Sequence, residues 1–188
     1  MALAYHVVFG TYGFWLPNDP RGSWSRFVGA WELVRFGKST KVNTRDSLAR
    51  APHDQELREA AKAALKYPPV HLSPQQVLAV GDGFDKARRE SGYAVHACSI
   101  LPEHVHLVIG RHDRSINQIA GHFKARATQQ LSAAGIWALE SPVWAAKCWK
   151  VFLDTPVAVA RAIEYVEVNP ARDGKPPQCW SFVTPFAS

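Results

Sequence analysis

Cysteine is scarce in this chain. Cys98, Cys148 and Cys179 are the three in 188 residues, and no two form a Cys-x-x-Cys pair. That excludes a zinc ribbon and a disulfide-built scaffold, and it fits a reducing compartment, the cytoplasm. Long apolar runs are also missing: nothing approaches the roughly 18 residues that span a bilayer. The start, MALAYHVVFGTYGFW, has no basic residue ahead of its short apolar run. It reads as a first strand and not as a signal peptide. No internal repeat, low-complexity tract or clean linker interrupts the chain. Acidic residues are outnumbered, 16 against 22 Lys and Arg, for a net charge of +6. A basic chain favours an acidic partner, and nucleic acid is the commonest. The composition is 47% hydrophobic. A chain of this length reads as one domain able to bury a core without staples.

The local patterns come in a clear order. Residues 4–12, AYHVVFGTY, carry β-formers and read as a buried strand. Residues 16–53 mix Pro, Gly, Asn and Asp with scattered rings, and read as an ordered, irregular excursion. Within it Arg21, Trp24, Arg26, Trp31, Arg35 and Lys38 interleave cations with aromatics. That mixture suits stacking on unpaired bases beside neutralised phosphates, and equally a small satellite core. Residues 54–66 read as a helix capped by Asp54. A second helix starts at Ser73, with Pro74 in its first turn and Gln76 three residues on, and stops at Gly92. Residues 93–101 and 104–110 read as two strands of an antiparallel hairpin. Residues 115–134 form a helix capped by Ser115, with Ile116, Ile119, Phe123, Ala127 and Leu131 along its apolar face. The aromatic run 143–153 reads as β, and 156–168 as a helix ending near Asn169-Pro170. The tail WSFVTPF is expected to pack back on the body. Together these elements predict an α+β domain, an antiparallel sheet covered by helices.

Two stretches carry candidate chemistry. In LPEHVHLVIG, His104 and His106 are two apart on a strand, so they share one face while Val105 and Leu107 take the other. Two neutral imidazoles side by side can grip one divalent cation, or can simply be exposed strand histidines. In EYVEVNPAR, Tyr165 and Asn169 are one helical turn apart on one face. Asn169 can offer an amide oxygen to a metal, with the Tyr165 hydroxyl beside it. The bland alternative is a tyrosine packed in a core.

LPEHVHLVI followed by YVEVNPAR resembles the REP-associated tyrosine transposases, relatives of the single-tyrosine HUH transposases. That family carries Leu/Met-Pro-x-His-x-His and, further on, Tyr-Ile/Val-x-x-Asn-Pro-x-Arg/Lys. TYGFWLPNDPRG and PVWAAKCWKVF also sit where the family has an N-terminal strand and a Trp-rich segment. The resemblance covers 4–15 and 93–182, and leaves 16–92 as an insertion. It implies a ferredoxin-like antiparallel sheet with His104 and His106 on a central strand. It further implies a divalent metal (Mg or Mn) on His104, His106 and Asn169, and Tyr165 as nucleophile toward single-stranded or hairpin DNA. One departure stands out: Trp144-Ala145 replaces the family's common Trp-Gln.

A phenol ionises near pH 10 and needs help as a nucleophile at neutral pH. A metal polarises the phosphate and stabilises a departing 3′-oxygen. Mixed imidazole–amide ligands suit manganese better than magnesium. Lys124, Arg126, Arg172, Arg21 and Trp24 are the expected DNA contacts, although a solvated helix-face charge is the commoner explanation for any one of Lys124, Arg126 and Arg172. The protein is expected as a monomer or homodimer with no membrane partner. Three competitors remain: a catalytically idle nucleic-acid-binding domain of the same fold, an RNA phosphoesterase, and a structural domain. The phosphoesterase needs two His-x-Ser/Thr motifs, and His71-Leu72-Ser73 supplies one, with none at His104.

Overall fold

The computed structural model describes residues 1–17, 19, 31–37, 52–138 and 140–187. Four strands, β1 (Ala4–Gly10), β2 (Val95–Ile100), β3 (His104–Gly110) and β4 (Trp149–Leu153), form one sheet in the order β2-β3-β1-β4. Every neighbouring pair is antiparallel. The helices are α1 (Gln55–Ala63), α2 (Pro74–Ser91), α3 (Ile116–Ala133) and α4 (Pro156–Arg172), with a 3-10 turn at Trp31–Phe36. Leaving out the turn and α1, the chain runs β-α-β-β-α-β and then α4. That is the ferredoxin-like order, two split β-α-β units that each leave room for a strand of the other. No helix among the described residues is long and apolar enough to cross a membrane.

The helix starts follow local chemistry. Asp54 accepts from the Leu57 amide at 2.9 Å. Ser73 with Gln76 and Ser115 with Gln118 form reciprocal capping boxes. Each satisfies amides that have no partner within the helix. Gly92 ends α2 in the left-handed region at φ 69°.

Alternation in the strands sorts side chains into two cores. Val7 and Phe9 of β1 and Val105, Leu107 and Ile109 of β3 pack with Val80 and Phe84 of α2 and Ile119 and Phe123 of α3. The opposite face sends Ala4, Ala97, Val108 and Leu153 against Val159, Ala162 and Val166 of α4. A register irregularity between Val95 and Ala97 lets β2 feed both. The tail covers the outer edge of β2. Gln178 grips both the amide and the carbonyl of Ile100, at 2.8 and 2.7 Å, as a neighbouring strand would. Phe182 beyond it is buried.

Two expectations need correction. The aromatic run 143–153 is a strand only from Trp149; Trp144 meets Thr11 in an isolated bridge. The Lys124 ammonium takes the Ala145 and Lys147 carbonyls there, so these groups are satisfied by a side chain in place of a ladder. The last helix runs past 168 to Arg172, so that Asn169-Pro170 lies near its end but inside the helix. Asn169 and Pro170 are both buried, and that packing outweighs the preference of a pre-proline residue for extended backbone. Within 16–92, α2 follows the helix expected from Ser73 to Gly92 and is one of the two helices packed on the first face of the sheet.

The α2–α3 contact rests on a missing side chain. A Cβ on Gly83 would lie 2.6 Å from the Ala127 Cα, a backbone atom that cannot turn aside. Gly83→Ala is therefore expected to destabilise by about 2–3 kcal/mol through overpacking. Gly121 in α3 has open space around it. Gly121→Ala should stabilise by about 0.5–1 kcal/mol through helix propensity alone. Urea denaturation of the two variants checks both signs.

Candidate active site

The face of the sheet under α4 gathers three imidazoles. His104 and His106 point there from β3, and His6 joins them from β1, which pairs beside β3. The ring centroids of His104 and His106 are 4.9 Å apart, and those of His6 and His106 are 5.3 Å apart with the rings 26° from parallel. The Nε2 of His6 is 3.1 Å from the Nδ1 of His106. On the other side of that ring, the Asn169 amide nitrogen stands 3.5 Å from the His106 Nε2. Tyr165, one turn earlier on α4, lays its ring 5.6 Å from His106 and 5.8 Å from His6. Its hydroxyl makes no hydrogen bond among the described residues. The Arg172 guanidinium sits 5.0 Å over the Tyr165 ring. Phe14 stacks on His104 at 4.9 Å, and Trp149 presents an edge to His6 at 5.4 Å.

The alternation places Val105 and Leu107 inward, as the spacing predicts. The histidine face, however, is no open surface. His6, His106 and Asn169 are 8%, 6% and 7% exposed, while His104 and Tyr165 are half-buried. Burial depresses the His6 imidazole to about 4. Burial, and then the neighbouring His104 and His6, hold His106 well below the usual histidine value. Both rings are therefore neutral at pH 7, the form that has a lone pair to give.

These shifts carry a stability prediction for the metal-free protein. An imidazole whose pKa falls on folding contributes fully above its unfolded value of about 6.5, and the contribution is lost as pH falls toward the folded value. For His6, with its folded value of about 4, that is about 3 kcal/mol, lost between pH 6.5 and 4. His106 adds in the same direction. Urea midpoints measured in chelator across that range should fall steeply. A flat profile would contradict neutral buried rings.

The remaining expected residues divide. Arg172 is at the site. Lys124 and Arg126 are on α3, across the sheet from the imidazoles. The Lys124 ammonium holds the Ala145 and Lys147 carbonyls at 2.7 and 3.1 Å, and burial lowers its pKa. Arg126 bonds the Glu90 carboxylate at 2.6 Å. Arg21 and Trp24 lie outside the described residues. Glu103 pairs with His71 at 3.2 Å. Both line a cavity of about 240 Å³ that also touches His104, Asp173 and Lys175.

Sequence reasoning missed His6. The alternation of β1 places it on one face with Ala4 and Val8, but nothing local says that β3 lies alongside. Among the described residues no three His, Cys, Asp or Glu side chains converge into a metal-sized group. A metal held here would need the Asn169 amide with His104 and His106. The 3.5 Å between the His106 Nε2 and the Asn169 amide nitrogen is near the spacing of two ligand atoms on one tetrahedral cation, about 3.4 Å. A half-turn of the amide puts its oxygen in that place. The His106–Asn169 pair has the spacing of two ligand atoms on such an ion.

Fold and site together define a ferredoxin-like α+β domain whose imidazole cluster faces a tyrosine and an asparagine on a covering helix. No family model matches the chain, and no curated protein matches it significantly. Among solved structures, a REP-associated tyrosine transposase bound to a REP hairpin is similar, with TM-score 0.49 and 14% identity over 92% of this chain and 69% of that one. A candidate transposase from Deinococcus radiodurans R1 is similar, with TM-score 0.40 and 13% identity over 89% of this chain and 90% of that one.

Proposed function

We propose that this protein cuts and rejoins single-stranded DNA through a covalent 5′-phosphotyrosine at Tyr165, as a metal-dependent transposase of the HUH kind. The observation that carries the reading is a convergence. Two segments far apart in the chain, β3 and α4, bring the His106 ring within 5.6 Å of the Tyr165 ring, with the Asn169 amide 3.5 Å from its Nε2. His104, His106 and Asn169 would hold a divalent ion, with manganese suited to this donor set. When bound, the ion supplies a Lewis acid for the phosphate and the leaving oxygen.

The side chains do the rest. The Tyr165 oxygen attacks the phosphorus and gives its proton to water. The bond from phosphorus to the 3′-oxygen breaks, and that oxygen leaves as a 3′-hydroxyl after taking a proton. The phosphodiester count is unchanged, so a 3′-hydroxyl can attack the phosphotyrosine and rejoin a strand. Arg172, 5.0 Å over the Tyr165 ring, would offer a positive charge to a phosphate joined to that side chain. A single strand or hairpin is the substrate because an unpaired backbone can bend into a half-buried site. The test is a denaturation-resistant adduct between the protein and a labelled hairpin oligonucleotide in manganese buffer.

A further inference from the structure

His6 lies behind the cluster and has no place in the chemistry above. We infer that His6 is a positioning residue: it accepts the Nδ1 proton of His106 and so keeps the Nε2 lone pair of that ring turned toward Asn169. This rests on the metal-site reading.

With the Asn169 amide nitrogen turned toward the His106 Nε2, the hydrogen-bond chain leaves one arrangement of protons. The Asn169 amide nitrogen can only donate, so at 3.5 Å the His106 Nε2 is its acceptor. A neutral imidazole carries one proton, which must then be on Nδ1. That nitrogen faces the His6 Nε2 at 3.1 Å, which accepts. The two rings lie side by side, 26° from parallel, as an in-plane N–H···N bond requires, and the edge of Trp149 backs His6. When a cation replaces the amide proton on Nε2, the Nδ1–H bond to His6 is untouched, so the ring is ready in both states. His6 itself faces the wrong ring nitrogen of His106 to share that cation. Ligand imidazoles commonly donate their second N–H to a fixed acceptor. Here the acceptor is another buried imidazole.

His6→Phe keeps the ring and its packing and removes the acceptor. His6→Gln returns an acceptor oxygen at the same reach from the backbone. Two measurements are made on the full chain. Long-range ¹H–¹⁵N NMR without metal reads the His106 tautomer, and EPR titration of free Mn(II) reads affinity. Expected are a single Nδ1–H tautomer in the wild type and its loss in His6→Phe. Mn(II) affinity should weaken about 10–100-fold in His6→Phe and recover to within about threefold of wild type in His6→Gln. An Nε2–H tautomer in the wild type overturns the inference, as does a His6→Phe protein that keeps both tautomer and affinity. Wild type that binds no Mn(II) while His106 stays Nδ1–H defeats the metal reading and leaves the role of His6 as orienter standing.

Discussion

Tyr165→Phe should abolish the covalent adduct with single-stranded hairpin DNA, reducing its formation by at least about a thousandfold. The phenylalanine ring keeps every packing contact of the tyrosine, including the edge-on approaches to His6 and His106. The Arg172 guanidinium still has a ring beneath it. Only the oxygen is lost, and no other hydroxyl is among the side chains named around it. Because that oxygen makes no hydrogen bond among the described residues, stability should stay within about 0.5 kcal/mol. Affinity for the uncleaved oligonucleotide should be close to wild type. Activity and folding are therefore separated in one variant. An adduct formed by Tyr165→Phe would move the nucleophile elsewhere. Wild type that binds hairpins tightly but never forms an adduct would make the chain the idle binding domain instead.

His106→Ala should weaken Mn(II) binding by more than about a hundredfold and suppress the adduct to match. His106 is the hub of the cluster: it touches His104, His6, Tyr165 and Asn169. Removing it takes a ligand from the proposed ion and leaves two buried polar partners, His6 and Asn169, without their bond. The structural cost is about 2–4 kcal/mol from the cavity and the lost hydrogen bonds. Circular dichroism must confirm that the variant is folded at the assay temperature. His122→Ala is the matched control. That histidine sits on α3 across the sheet, bonded to Tyr93 and Glu90. It should leave Mn(II) affinity unchanged. Equal losses in both variants would mean that the metal is not held beneath α4.

Much of this was legible from residues alone where the cause is local. Ser73 with Gln76 and Ser115 with Gln118 announce their helices because a capping box is closed within four residues. The hairpin shows in its alternation and short turn. Tyr165 and Asn169 share a helix face by spacing, and the same pattern separates His104 and His106 from Val105 and Leu107. Legibility failed where a distant group decided. Lys124 reads from sequence as a DNA contact or a solvated helix charge, and nothing local shows that its ammonium holds carbonyls from the 145–147 segment. The start of β4 and the end of α4 were misplaced for the same reason: side-chain bonding at Trp144 and burial at Pro170 override local preference.

By itself the sequence determined the elements, their caps, and which side chains share a face, since periods of 2 and 3.6 and the capping bonds act over a few residues. Only the tertiary structure decided that β1 lies beside β3 and that α4 covers the histidine side of the sheet. Strand order sets His6 against His106, 100 residues away, and the docking of α4 brings Tyr165 and Asn169 onto the same ring. No local period encodes a neighbour; burial of two separate apolar faces selects it.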